Sequence, residues 1–130
     1  MTIQKRKRKL NISTGIANIT TTFNNTIITI CDTLGNTLCW TSSGTRNTGQ
    51  DKFINAKKST PFAAQMAAKK AAEKAIELGI ENIEVIIKGR GNGRDASLRA
   101  LKASGLTLLS IEDKTATAHN GCRPPKKRRL

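Results

Sequence analysis

The feature that most restricts this chain is an alanine stripe between Thr60 and Gly79. Ala63, Ala67, Ala71 and Ala75 recur at four-residue spacing with Leu78 in line, and Ala64, Ala68 and Ala72 lie beside them. On a helix with its 3.6-residue period these positions share one side. Lys69, Lys70, Glu73, Lys74 and Glu77 fall on a solvent stripe. A face of methyl groups lets the helix axis approach its support closely, and a sheet face is the expected support. Thr60 offers an N-cap oxygen, and Pro61 at the first helical position loses only an orphan amide. Gly79 suits a left-handed cap after Leu78. The stripe reads as core, and no chemistry is assigned to it.

The sheet that this helix needs is legible on both sides of it. Residues 16–23 are rich in β-branched side chains and predict a strand. Asn24-Asn25 tolerates positive φ and predicts a two-residue primed turn. Residues 26–31 form the return strand, Asp32 to Asn36 the next turn, and residues 37–42 a third strand, which completes an antiparallel meander. Residues 82–87 predict a strand covered on both sides, since Ile86 and Ile87 are both apolar. A second helix is predicted over 94–104, capped by Asp95 or Asn92 and closed by Gly105, and a last strand over 106–112. The order βββαβαβ ends in two strand–helix–strand units, which favour parallel pairs joined by right-handed crossovers. The expected fold is α/β, a mixed five-stranded sheet with helices against it.

The charge is concentrated at the two ends. The chain of 130 residues has a net charge of +14. Five of those charges are Lys5, Arg6, Lys7, Arg8 and Lys9, and five are Arg123, Lys126, Lys127, Arg128 and Arg129, so four remain for the body. Like-charged blocks stay extended until an opposite charge arrives. The segment from His119 to Leu130 contains Pro124 and Pro125 and no acid, which predicts an extended arm in need of a polyanion. The organisation expected is a basic arm over 1–14, an α/β domain over 15–115 and a basic tail over 116–130. The balance points to nucleic acid, with an anionic membrane surface as the weaker choice. The aromatics, Phe23, Trp40, Phe53 and Phe62, are too few for repeated base stacking, so contact mainly with phosphates and RNA shape is expected.

Between strand and second helix lies Gly89-Arg90-Gly91-Asn92-Gly93-Arg94. Its amides and the helix dipole could hold an anion, and Arg90 and Arg94 add charge. The alternative is a tight turn that uses glycine for geometry alone. It is neither a Walker A loop nor the GxGxxG dinucleotide fingerprint, so a nucleotide cofactor is disfavoured. Residues 43–58, with Arg46, Lys52, Lys57 and Lys58, form a long loop read as RNA contact over a solvated loop.

Other classes find little support. Cys31, Cys39 and Cys122 form no CxxC pair, which argues against a disulfide scaffold and against zinc held with His119. Cys31 and Cys39 read as small hydrophobes on strands. A metal-dependent nuclease needs converging carboxylates, yet Asp32 is the only acid of the meander and the other predicted strands hold only Glu84 and Glu112. Neither a membrane span of about 18 apolar residues nor a secretory signal is seen. The reading is no enzyme, no cofactor, no metal and no small-molecule substrate.

The segments FNNTIITI at 23–30, STPFAAQMAAKKA at 59–71, GRGNGRDASLRAL at 89–101 and HNGCRPPKKRR at 119–129 carry a resemblance. From about Gly15 to the end, the chain resembles small-subunit ribosomal protein eleven, the universal family of the platform. The resemblance implies a three-layer α/β/α fold, related in shape to ribonuclease H but without its activity. It implies binding to small-subunit rRNA near the path of mRNA leaving the E site, beside neighbours resembling small-subunit proteins seven, eighteen and twenty-one. The RNA contacts it implies are Asn24, Asn25, Lys57, Lys58, Gly89, Gly91, Gly93, Arg94, Arg99, His119, Asn120, Arg123, Lys126, Lys127, Arg128 and Arg129. Charge adds Arg90 and the run Lys5 to Lys9. Lys126 to Arg129 are expected to supply charge and His119 to Pro125 shape, with Gly121 part of that shape.

The chain departs from the family pattern in four places. Arg90 and Asn92 replace prolines usual in bacterial members, and Ala118 replaces another. The loop before Lys52 is longer, and the N-terminal arm is shorter than in many bacterial members. Such drift, with a composition rich in Ile, Asn, Thr and Lys, suggests an organelle-encoded ribosomal protein, mitochondrial before plastid and bacterial third. A nucleic-acid-binding module outside the ribosome is the alternative.

Overall fold

The structure is a computed structural model that describes residues 13–44 and 60–129. Its elements are β1 (Thr14–Thr21), β2 (Thr26–Cys31), β3 (Thr37–Ser42), α1 (Pro61–Glu77), β4 (Asn82–Lys88), α2 (Arg94–Ala103) and β5 (Thr107–Asp113). They form one five-stranded sheet in the order β3-β2-β1-β4-β5. β2 is antiparallel to both β1 and β3, whereas β1, β4 and β5 are parallel. The first strand starts at Thr14 because its parallel pairing with β4 begins at Thr14↔Asn82.

The α/β class, the mixed five-stranded sheet and the order βββαβαβ are as expected. The described residues supply two of the three expected layers. The connections β3-α1-β4 and β4-α2-β5 each join parallel strands and step the same way across the sheet. Right-handed crossovers that step one way put their helices on one face. Ala17, Ile19, Ile28, Ile30, Ile83, Val85 and Ile87 accordingly form a single core with the alanines of α1 and with Ala100 and Leu101 of α2. The opposite face carries no helix among the described residues, and Ile27 and Trp40 stay exposed there.

α1 forms as its sequence dictates. The Thr60 hydroxyl accepts from the Ala63 amide at 3.3 Å, and Pro61 follows the cap. Ala63, Ala64, Ala67, Ala68, Ala71, Ala72 and Ala75 are all buried. Close approach is visible in the Thr41 hydroxyl, which donates to the Ala67 carbonyl at 2.8 Å. Gly79, at φ 92°, turns the chain, the Ile80 amide donates to Ala75 O and the Gly79 amide to Ile76 O. That pair of bonds is a Schellman motif, and the buried Ile80 supplies its apolar contact.

Two local expectations are corrected. Asn24-Asn25 is not a two-residue primed turn, because the strands end at Thr21 and resume at Thr26. The four-residue connection is closed by Thr22, whose amide donates to Asn25 O at 2.8 Å and whose hydroxyl accepts from the Asn25 amide at 3.0 Å. Neither asparagine needs positive φ; among the described non-glycine residues only Asn120 adopts it. The N-cap of α2 is Gly93 and no side chain caps it, so neither Asn92 nor Asp95 does.

Candidate nucleic-acid interface

β1, β3, β4 and β5 point the same way, so their C-terminal ends share one edge of the sheet. In open α/β sheets that edge is where ligands bind. Here it gathers the turn at 22–25 after β1, the glycine loop at 89–93 after β4 and the tail after β5. Residues far apart in sequence thus meet without any being adjacent along the chain.

Two threonines knit the edge together. The Thr21 hydroxyl accepts from the Gly91 amide at 3.0 Å and donates to the Lys88 carbonyl at 3.4 Å. The Thr115 hydroxyl accepts from the Gly89 amide at 3.1 Å. Sequence reasoning missed both, since a threonine at the end of a strand has no local signal for a partner dozens of residues away. The amides of Gly89 and Gly91 are therefore turned into the protein. The expected cradle of loop amides around an anion is corrected for these two donors.

The glycines are instead required by packing. A Cβ on Gly89 would overlap Thr21 O, one on Gly91 would overlap Thr22 O, and one on Gly93 would overlap Thr26 Oγ1 and the Ala64 methyl. Each of these contacts would be closer than the 3.0 Å that real Cβ atoms respect. Gly89 also sits at φ 101°, where L side chains are strained. The loop backbone thus lies flat on the β1–β2 connection and sends Arg90 outward, exposed.

The cations differ in their commitments. Arg94 forms an ion pair with Asp113, and both side chains are part exposed. Hydrogen bonds from the Thr115 hydroxyl and amide, then from Arg94, hold the Asp113 carboxyl below its usual range. Arg99 is exposed on α2. Asn25 is structural, since its Oδ1 accepts from the Thr26 amide at 2.8 Å and from the Ser43 hydroxyl. Asn24 remains exposed beside it.

The tail begins as a continuation of the sheet, with the Lys114 amide donating to Ile87 O at 2.9 Å. Residues 116–129 are all exposed, including His119, Asn120, Arg123, Lys126, Lys127, Arg128 and Arg129. Asn120 bends it at φ 61°. Gly121 is expected to set shape, yet among the described residues a Cβ there would meet only the Ala118 methyl, at 3.4 Å. The protein's own packing therefore does not demand glycine at 121; the left-handed residue is Asn120. Lys5 to Lys9, Lys57 and Lys58 lie outside the described residues.

The remaining candidates lie elsewhere. Asp32 closes its turn at the other edge, accepting from the amides of Leu34 at 2.9 Å and Asn36 at 2.8 Å. Cys31 and Cys39 sit in the sheet and Cys122 in the tail, all as free thiols, so the structure does not bring them together with His119. Burial pushes the Cys39 thiol up, with Lys74 opposing. Among the described residues no three His, Cys, Asp or Glu side chains converge. A family model described as Ribosomal protein S11 matches residues 15–129.

Proposed function

The chain belongs to the ribosomal protein S11 family, and from that membership we propose that it is a structural, rRNA-binding constituent of the small ribosomal subunit. The observation that supports this reading is the arrangement of charge on the fold. The exposed tail leaves the sheet from the same edge as Arg90 and Asn24, and no residue from 116 to 129 is buried. Cations held this way have lost little solvation in the free protein and are available to phosphates. The glycine loop contributes Arg90 on a backbone fixed by Thr21 and Thr115. Binding to phosphate oxygens positions a protein on RNA and displaces counterions, which makes affinity depend steeply on salt.

The finer reading is that the protein sits in the platform near the exit path of mRNA and supports assembly and translation. Its neighbours there resemble small-subunit proteins seven, eighteen and twenty-one. The arm at 1–14 and the tail at 116–130 anchor the body at 15–115. The composition favours a mitochondrial ribosome, with plastid and bacterial ones as the alternatives. Sedimentation of cell extract at moderate salt tests the proposal: the protein co-migrates with the small subunit. A protein found wholly in the light fractions is instead a nucleic-acid-binding module outside the ribosome.

A further inference from the structure

The edge described above includes a cleft of about 380 Å³ lined by Thr21, Thr22, Phe23, Arg90, Gly91 and Thr115. Phe23, one of these lining residues, is 78% exposed, although it sits in a turn otherwise made of Thr22, Asn24 and Asn25. Burying such a side chain would gain about 1.5–3 kcal/mol, so the fold leaves a favourable term unused. The hydroxyls of the wall are already engaged. Thr21 and Thr115 hold the Gly91 and Gly89 amides, and Thr22 closes its own turn. What the cleft still offers is an aromatic face, methyl groups and the exposed guanidinium of Arg90.

That chemistry fits a flat, apolar ring joined to an anion. We infer that the cleft receives one unpaired nucleotide of the rRNA, its base stacked on Phe23 and its phosphate held by Arg90. The inference rests on the rRNA-binding reading above and adds an aromatic contact to a surface otherwise built for phosphates. A base inside a duplex is already stacked on both faces, so the occupant is a looped-out or single-stranded nucleotide. With the threonine hydroxyls of the wall engaged and Arg90 given to the phosphate, the base is held by stacking, which tolerates any base identity. The exposed cations on the same edge favour RNA over a peptide side chain as the occupant.

The test uses the full chain and small-subunit rRNA, with affinity measured over a salt series. F23A weakens binding about tenfold, the loss of one base–aromatic stack. F23L is as weak as F23A, F23W binds like the wild type, and the salt slope stays unchanged in all three. R90Q lowers the slope by about one. Because Phe23 is exposed, equal thermal melts confirm that the variants are folded. F23A binding within twofold of the wild type overturns the inference alone, whereas a wild type that does not bind rRNA overturns the functional reading itself. F23L matching the wild type shows an apolar contact instead of a stack. Normal F23A binding to naked rRNA, with loss of a neighbouring protein from reconstituted subunits, assigns the cleft to a protein and overturns the inference too.

Discussion

The amide of Gly91 donates to the hydroxyl of Thr21 across 3.0 Å, which ties together two residues 70 positions apart. The same hydroxyl donates to Lys88 O. This one side chain therefore fixes the path of the glycine loop against the end of β1. Replacing it with valine keeps the shape and leaves a buried amide without a partner, which costs about 1–3 kcal/mol. Urea denaturation should show Thr21→Val destabilised by that amount and Thr21→Ser much less. Equal stability of the two variants would show that the hydroxyl does not hold the loop.

Gly89→Ala should be more damaging than Gly35→Ala, although both glycines have positive φ. A Cβ at Gly35 meets nothing within 4 Å among the described residues, so its cost is backbone strain of about 1–2 kcal/mol. At Gly89 the same strain is joined by overlap with Thr21 O, for a total of about 3 kcal/mol or more. Chemical denaturation of the two variants checks the order. A Gly35 variant as unstable as the Gly89 variant would remove the case for close packing of the loop.

Much of this fold could be read from the residues, for reasons that are local. The alanine stripe, the Thr60 cap and the Gly79 stop each act within a turn or two of helix, and each sits where expected. The β-branched runs became strands in which every second residue faces the core, as Ile83, Val85 and Ile87 of β4 do while Glu84 between them is exposed. The layering and the edge are not local. That both helices share a face follows from strand order, and strand order depends on the pairing of β1 with β4. Likewise the roles of Thr21, Thr115 and Asn25 appear only when β1, β4, β5 and the segment after β3 are brought side by side. Sequence pointed to the glycine loop and its charge; it could not reveal that two loop amides are already taken.

The alanine stripe makes its own prediction. Ala68 is fully buried between α1 and the core, whereas Gln65 is exposed on the same helix. Ala68→Leu adds bulk where none fits and should destabilise by about 1–3 kcal/mol. Gln65→Leu should stay within about 0.5 kcal/mol of the wild type. Thermal melts compare the two, and a tolerated Ala68→Leu would mean that α1 does not need its close approach.

Ser97 gives a prediction of opposite sign. Its hydroxyl is wholly buried on α2 and has no hydrogen-bond partner among the described residues. Ser97→Ala removes an unpaired polar group and improves helix propensity, so stability should rise by about 1 kcal/mol. A loss of stability on removing the hydroxyl would show that it is satisfied in solution.

Asp113 reports on the edge through pH. Its carboxyl is held below the ordinary 3.8, first by the Thr115 hydroxyl and amide and then by Arg94. A depressed folded pKa stabilises the fold above the unfolded pKa, and that contribution is lost as pH falls through the folded value. NMR titration should place Asp113 below 3.8, and Thr115→Val should move it back towards 3.8. An unshifted carboxyl in the wild type would mean that the Asp113–Thr115 contact does not persist.

The most direct test of the central claim is the salt dependence of rRNA binding by the wild type and by a variant with Lys126, Lys127, Arg128 and Arg129 changed to alanine. Wild-type affinity should fall by about a thousandfold or more between 50 and 200 mM salt. The variant's slope should be shallower by about 0.7–0.9 per lost contact. Body stability should be unchanged, since the four side chains are exposed in the free protein. A flat response in the wild type, or a variant with the wild-type slope, would contradict the account.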